Sequence, residues 1–152
     1  TNNQWFETQD SISYWDDFYR QKIVWKRIGS ILRFSFDSSG MLALDSTCFA
    51  TGNSIKYLVV FLNSKLGHYL LKDAPKTGTG DLLISVQALN PILIPIPDDI
   101  YKNRLEGYLD TIIDHINKGL SYQHIEDEVN ESIYSLFDFN NEEIKFLETF
   151  NY

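Results

Sequence analysis

Two hydrophobic periods divide the chain. In residues 22–51 apolar positions recur every second residue, and in residues 54–71 and again after residue 98 they recur every third or fourth. Strict alternation suits a pleated strand with one wet face, whereas a step near 3.6 suits a helix with one apolar stripe. Residues 22–28 are rich in β-branched and aromatic side chains and predict a strand, with Ile23 and Trp25 on the face of Arg27 and Val24 and Ile28 on the face of Lys26. Residues 32–37 alternate cleanly, with Leu32, Phe34 and Phe36 opposite Arg33, Ser35 and Asp37. Asp37-Ser38-Ser39-Gly40 reads as a turn, because Gly accepts positive φ and Asp and Ser bond back to the backbone. Residues 41–44 are then expected to return as the hairpin partner, and residues 47–51 to form a further short strand.

Ile55, Leu58, Val59, Leu62, Leu66, Tyr69 and Leu70 carry the helical step, with Ser54 as the expected N-cap and a possible break at Asn63-Ser64. Residues 73–80 form a loop by composition. Residues 82–84 and 87–89 are expected as short strands. Residues 92–97 are apolar, but Pro95 and Pro97 lack donors, which leaves an edge strand or an extended connector. Beyond Pro97 three helices are predicted. One starts at Asp98 or Asp99 and ends before Gly119, one covers about residues 121–137, and one starts at Asn140 or Asn141.

The fold class expected from this order is α+β: a small mixed or antiparallel sheet body with a covering helical hairpin, then a C-terminal helical segment. The boundary is placed at residue 97, giving a body (residues 1–97) and an acidic helical segment (residues 98–152).

Charge changes the picture. The 152 residues carry a net charge of -8, which by itself argues against a polyanionic partner. The charge is not spread evenly, however. Residues 20–80 hold nine basic against three acidic side chains, and residues 98–152 hold thirteen acidic against four basic. A basic segment of this kind is a cue for a nucleic-acid face on one part of a protein. Chance clustering on a solvated surface is the competing explanation.

The single Cys48 excludes an internal disulfide and fits a reducing compartment. No stretch approaches the roughly 20 apolar residues of a membrane span. The start, Thr1-Asn2-Asn3-Gln4, lacks an initiator Met and a signal pattern, so a segment of a longer polypeptide is expected.

Catalytic patterns fail one by one. His68, His115 and His124 read as structural or surface histidines, and His124 with Glu128 lacks a third metal ligand. Cys48 lies in an apolar strand with no base beside it in sequence. Lys76-Thr77-Gly78-Thr79-Gly80 lacks the order of a phosphate loop. The chain alone therefore reads as a binder with no catalytic or metal-ligating residues.

Five stretches resemble one family. Ile23-Val24-Trp25-Lys26-Arg27-Ile28, Phe34-Ser35-Phe36-Asp37-Ser38-Ser39-Gly40 and the helix segment Tyr57-Leu58-Val59-Val60-Phe61-Leu62-Asn63-Ser64-Lys65-Leu66 are similar to the TaqI-like specificity domain of type IIG restriction-modification enzymes and adenine-specific DNA methyltransferases. The helix segment is also similar to type I specificity subunits. Ile94-Pro95-Ile96-Pro97 resembles the close of the recognition domain. Ile133-Tyr134-Ser135-Leu136-Phe137 with Asn141-Glu142-Glu143-Ile144 resembles the helical finish. The Asn-Pro-Pro-Tyr methyltransferase motif, the Gly-rich adenosylmethionine motif and a credible nuclease pattern are absent from this sequence.

The resemblance implies a module that reads double-stranded DNA for a bacterial or archaeal cytoplasmic enzyme without doing its chemistry. S-adenosylmethionine and magnesium are expected only in the remainder of the parent enzyme. A methyltransferase domain of the same polypeptide or complex is the expected protein partner, with no membrane involved. The alternative is a protein-interaction or dimerisation fragment of such a system.

In a module of this kind phosphate contacts set register and base-edge contacts set specificity. The candidates are Lys26, Arg27, Arg33, Lys72 and Lys76, with Thr77 and Thr79 on the glycine loop and Asn53 and Gln87 as adenine readers. Lys26 and Arg33 fit an ordinary solvent-facing strand equally well. The acidic helices, repelled by DNA, are expected to pack on the body or on the methyltransferase domain.

Overall fold

A computed structural model describes residues 4, 5, 7 and 12–151 and has an α+β architecture. A 3-10 turn at Trp15–Tyr19 leads into β1 (Lys22–Lys26), β2 (Ile28–Gly29), β3 (Phe34–Asp37) and β4 (Thr47–Thr51). Helices α1 (Ile55–Asn63) and α2 (Lys65–Leu70) follow, then β5 (Leu82–Leu83) and the single turn α3 (Val86–Leu89). The chain ends on α4 (Asp99–Asn117), α5 (Gln123–Leu136) and α6 (Asn141–Thr149).

The main sheet is antiparallel in the order β3-β1-β4, and β2 pairs with β5 in a second, two-stranded ladder. β1 is central because it is apolar on the helix side and satisfied on the other. Ile23 and Trp25 are buried towards α1, while Lys22 lies opposite Asp37 and forms an ion pair with it. The turn at residues 37–40 forms as expected, with Asp37 accepting from the Ser39 amide at 2.9 Å and Gly40 at φ +78°.

Three local expectations are corrected. Residues 41–44 form no strand, and β3 takes β1 as its partner. The Tyr19 ring lies against Gly40, and the chain then runs along the rim with Met41, Leu42 and Leu44 exposed before a turn delivers β4 to the far side of β1. Both edges of β1 are taken by β3 and β4, and the connection between them stays at the surface. Residues 87–89 are helical, because an apolar run this short suits one helical turn as well as a strand. Ser54 stands at the start of α1, but in a left-handed conformation and without a side-chain cap bond; its carbonyl accepts the first helical bond, from Leu58.

α1 is the hub. Tyr57 and Phe61 are fully buried, and the helix packs on β1 and β3 on one side and on α4 on the other. A helix enclosed in this way is apolar on more than one face. Its break at residue 64 is built by specific bonds. Asn63 accepts from the Phe34 amide at 2.9 Å and donates to the Phe34 carbonyl at 2.7 Å, which closes the outer edge of β3 there. The Ser64 hydroxyl accepts from the Gly67 amide and so caps α2. A side chain at Gly67 would meet the Phe61 carbonyl at 2.2 Å, so the kink requires glycine. The stretch Leu62-Asn63-Ser64-Lys65-Leu66-Gly67 thus has a complete structural account.

The apolar core runs across residue 97. Leu105 and Leu109 of α4, Val129, Ile133 and Tyr134 of α5, and Leu147 of α6 join Ile23, Trp25, Phe34 and Phe61 in one cluster. The acidic helices therefore pack on the body. Residues 92–97 are an extended connector, held where the Tyr57 hydroxyl donates to the Pro95 carbonyl at 2.6 Å. Burial of that phenol pushes its pKa up to about 12. No helix among the described residues is long and apolar enough to cross a membrane.

Candidate nucleic-acid interface

The end of β1 is where the sequence candidates meet. Lys26 closes β1, and its aliphatic stem lies over Gly29, 3.6 Å from where a Cβ would stand. Arg27 links the two ladders through its backbone, donating to Ser46 and accepting from Ile84 at 2.9 Å. The Trp25 indole adds a second tie, to the Ile84 carbonyl. Gly29 pairs with Leu82, and Leu82 bridges to Lys76. Two ladder spacings, roughly 10 Å, therefore separate the backbones of Gly29 and Lys76. Lys26, Arg27 and Lys76 are all exposed.

Four of the nine basic side chains of residues 20–80 have no ion-pair partner among the described residues: Lys26, Arg27, Arg33 and Lys76. The other five are paired with acids. Lys22 is the extreme case. It is 1 % exposed, donates to the Phe18 carbonyl at 2.7 Å and pairs with Asp37. Burial alone would raise the Asp37 carboxyl, but hydrogen bonds from Lys22 and Ser39 outweigh it and hold the group below its ordinary range. Lys22 adds to the basic count of the sequence and nothing to the surface.

The remaining candidates divide. Lys72 is engaged, 3.1 Å from Asp73 and 4.5 Å above the Tyr69 ring. The Thr77 and Thr79 hydroxyls lie 2.9 Å apart, Thr79 donates to Asp81, and Thr77 accepts from the Asp81 amide. These hydroxyls shape the loop, which leaves its backbone and Lys76 to face outward. Gln87 is exposed on α3, beside Ser85, Ala88 and Pro91 at a shallow groove. Asn53 follows Thr51, whose strand partner is Lys22, so it sits at the opposite end of the sheet from Lys26. Arg33 lines a separate cavity with Asn63, Lys65, His68 and Asn130. The structure thus brings together Lys26, Arg27, Lys76 and the threonine loop, and leaves Asn53 and Arg33 elsewhere.

No group of three or more His, Cys, Asp or Glu side chains among the described residues could hold a metal ion. His115 and His124 lie 5.6 Å apart between ring centres, and His115 contacts the Ser121 carbonyl at 2.8 Å across the α4–α5 turn. Cys48 is half-buried opposite Trp25.

Sequence reasoning missed the buried role of Lys22 and the cavity beside Arg33. The signal for Lys22 was its register with Asp37, visible only once β3 is paired with β1. No protein-family model matches the chain, and no curated protein matches it.

Proposed function

We propose that the chain is the double-stranded-DNA recognition module of a restriction-modification enzyme of the type IIG or adenine-methyltransferase kind. The observation that carries this reading is the backbone proximity of Lys26, Arg27 and Lys76, exposed and without acidic partners among the described residues, at the junction of the two ladders. The ordered motifs of the sequence support it. So does the packing: the acidic helices make their main contacts with α1, α2 and one another rather than with the strands, so the net negative charge need not face the DNA. Chemistry would come from a methyltransferase domain of the same polypeptide or complex in a bacterial or archaeal cytoplasm. Adenosylmethionine and magnesium would bind there.

The test is a titration of duplex DNA at increasing salt. Each neutralised phosphate contributes a slope of roughly -0.9 in log K against log salt, so three cations predict about -3. Absence of measurable binding at low salt would overturn the reading. Transfer of a methyl group by this chain alone would contradict its assignment as a non-catalytic module.

One observation favours a second reading, a protein-interaction fragment. Tyr14, Trp15 and Tyr19 with Met41, Leu42 and Leu44 are large apolar residues left exposed, and exposed apolar residues in number suit a protein partner. A stable dimer without DNA binding would select it.

A further inference from the structure

The outer side of the 3-10 turn and the segment after Gly40 form one exposed apolar patch. Phe18 faces inward, 6 % exposed, and packs on Phe49. Trp15 and Tyr19 are exposed on the same turn, with their ring centres 6.2 Å apart in an edge-on arrangement. The Tyr19 ring reaches the next segment, since a Cβ at Gly40 would stand 3.3 Å from its Cδ1. Met41, Leu42 and Leu44 follow, 68 %, 56 % and 75 % exposed. The Leu44 carbonyl accepts from the Thr47 amide at 2.9 Å, so this stretch is anchored at its far end as well. Single exposed apolar residues are ordinary, but five large ones gathered from two segments mark an interaction surface. Tryptophan, tyrosine and methionine are also the types enriched at the buried centres of protein interfaces.

Charge decides what the patch can take. Residues 12–19 and 40–46 hold Asp16, Asp17 and Asp45 and no basic residue. Asp17 is paired with Arg20 at 3.0 Å, whereas Asp16 and Asp45 are exposed and have no ion-pair partner among the described residues. Arg27, whose amide donates to the Ser46 carbonyl, lies beyond the Leu44 end and belongs to the proposed DNA face. An acidic margin repels a DNA backbone or an anionic lipid surface. It also disfavours a second copy, because a two-fold interface sets the same acids against one another. We propose that this patch docks a different protein, one whose surface is apolar at the centre and carries Lys or Arg at its margin. The basic margin answers Asp16 and Asp45, and the apolar centre covers Trp15, Tyr19 and Met41. This docking is independent of the DNA reading.

Met41 is the only methionine of the chain, so an isotope label on its methyl group gives a single NMR signal from the patch. The probe is a synthetic amphipathic helical peptide with leucines along one face and arginines beside them. A control peptide carries glutamates in place of the arginines. The expected result is a saturable shift of the Met41 signal by the arginine peptide in the full chain, with binding of the glutamate peptide weaker by about tenfold or more. Asp16→Asn combined with Asp45→Asn should narrow that difference. Leu42→Ser should weaken binding of the arginine peptide and leave the salt slope of DNA binding unchanged, which separates failure of this surface from failure of the DNA reading. All three positions are exposed, so the fold should tolerate these changes. Absence of a shift, equal binding of the two peptides or no loss from Leu42→Ser would overturn the proposal. So would a Met41 shift that tracks dimer formation as the protein is concentrated, which would make the face a self-interface, or saturation of the Met41 signal by duplex DNA.

Discussion

The two ends of β1 carry lysines with opposite fates. Lys22 is buried at one end, with the Phe18 carbonyl and Asp37 as partners. Lys26, four residues on, is exposed at the other end with its stem over Gly29 and no acid paired to it among the described residues. Both side chains leave the same face of the strand, since residues two and four apart share a face. What differs is the covering. The 3-10 turn places Phe18 against Phe49, with ring centres 4.8 Å apart, and closes the Lys22 end. The β1–β2 junction keeps the Lys26 end open. A buried cation must be paired to persist, whereas an exposed one is free to bind another molecule. The comparison therefore predicts that Lys22 governs stability and Lys26 governs association.

The largest effect should come from Lys22→Ala. Removing one partner of a buried pair strands the other, here Asp37, and costs about 3–5 kcal/mol in unfolding free energy. Urea denaturation measures it. A loss no greater than that of a surface substitution would break the comparison. The double change Lys22→Met with Asp37→Leu sharpens it, because apolar replacement of both partners is often close to neutral.

Acid should separate two contributions. His68 has a folded pKa of about 4 against an ordinary 6.5, so the unfolded chain takes up its proton first. Stability is complete above pH 6.5 and falls as pH drops towards 4, by at most about 3 kcal/mol. Asp37 behaves differently. Its folded pKa is lowered, so its contribution is present above the ordinary value and is lost as pH falls through the depressed one. The Lys22→Met variant should lose much of the limb at lowest pH and keep the limb between 6.5 and 4. Denaturation midpoints measured across pH read both.

The pattern of these effects also marks what the sequence made legible. The turn at Asp37-Ser38-Ser39-Gly40, the break at Ser64 and the caps at Asp98 and Asn140 depend on residues within a few positions of one another. Local chemistry specifies such features, and each stands where expected. The strand partner of β3, the fate of Lys22 and the bond from the Lys65 amide to Asn130 depend on residues 9 to 65 positions away. Alternation alone could not choose between residues 41–44 and β1 as the neighbour of β3. The candidate site was legible as residue types, since Lys26, Arg27 and Lys76 remain its cations. It was not legible as geometry: Asn53 lies at the wrong end of the sheet, and Arg33 turns to a cavity of its own.

Association should follow the open cations. Lys26→Ala and Lys76→Ala should leave the unfolding midpoint nearly unchanged, because surface substitutions away from special features have little effect on stability. Each should flatten the salt dependence of DNA binding by about one unit, the share of one phosphate contact. Fluorescence anisotropy of labelled duplex DNA at several salt concentrations provides both slope and affinity. If neither slope changes, the DNA face is not at the ladder junction.

The smallest effect should be that of Lys72→Ala. By sequence alone Lys72 ranks with Lys76, since both flank the same loop and carry the same charge. The structure separates them. Lys72 is held between the Asp73 carboxylate at 3.1 Å and the Tyr69 ring at 4.5 Å, and both contacts would have to be given up for a phosphate. Lys76 has no such partners among the described residues. Lys72→Ala should therefore change the salt slope by well under the roughly one unit predicted for Lys76→Ala. Equal slopes for the two variants would show that ion pairing does not sort these cations, and that the charge count of the sequence was the better guide to this face.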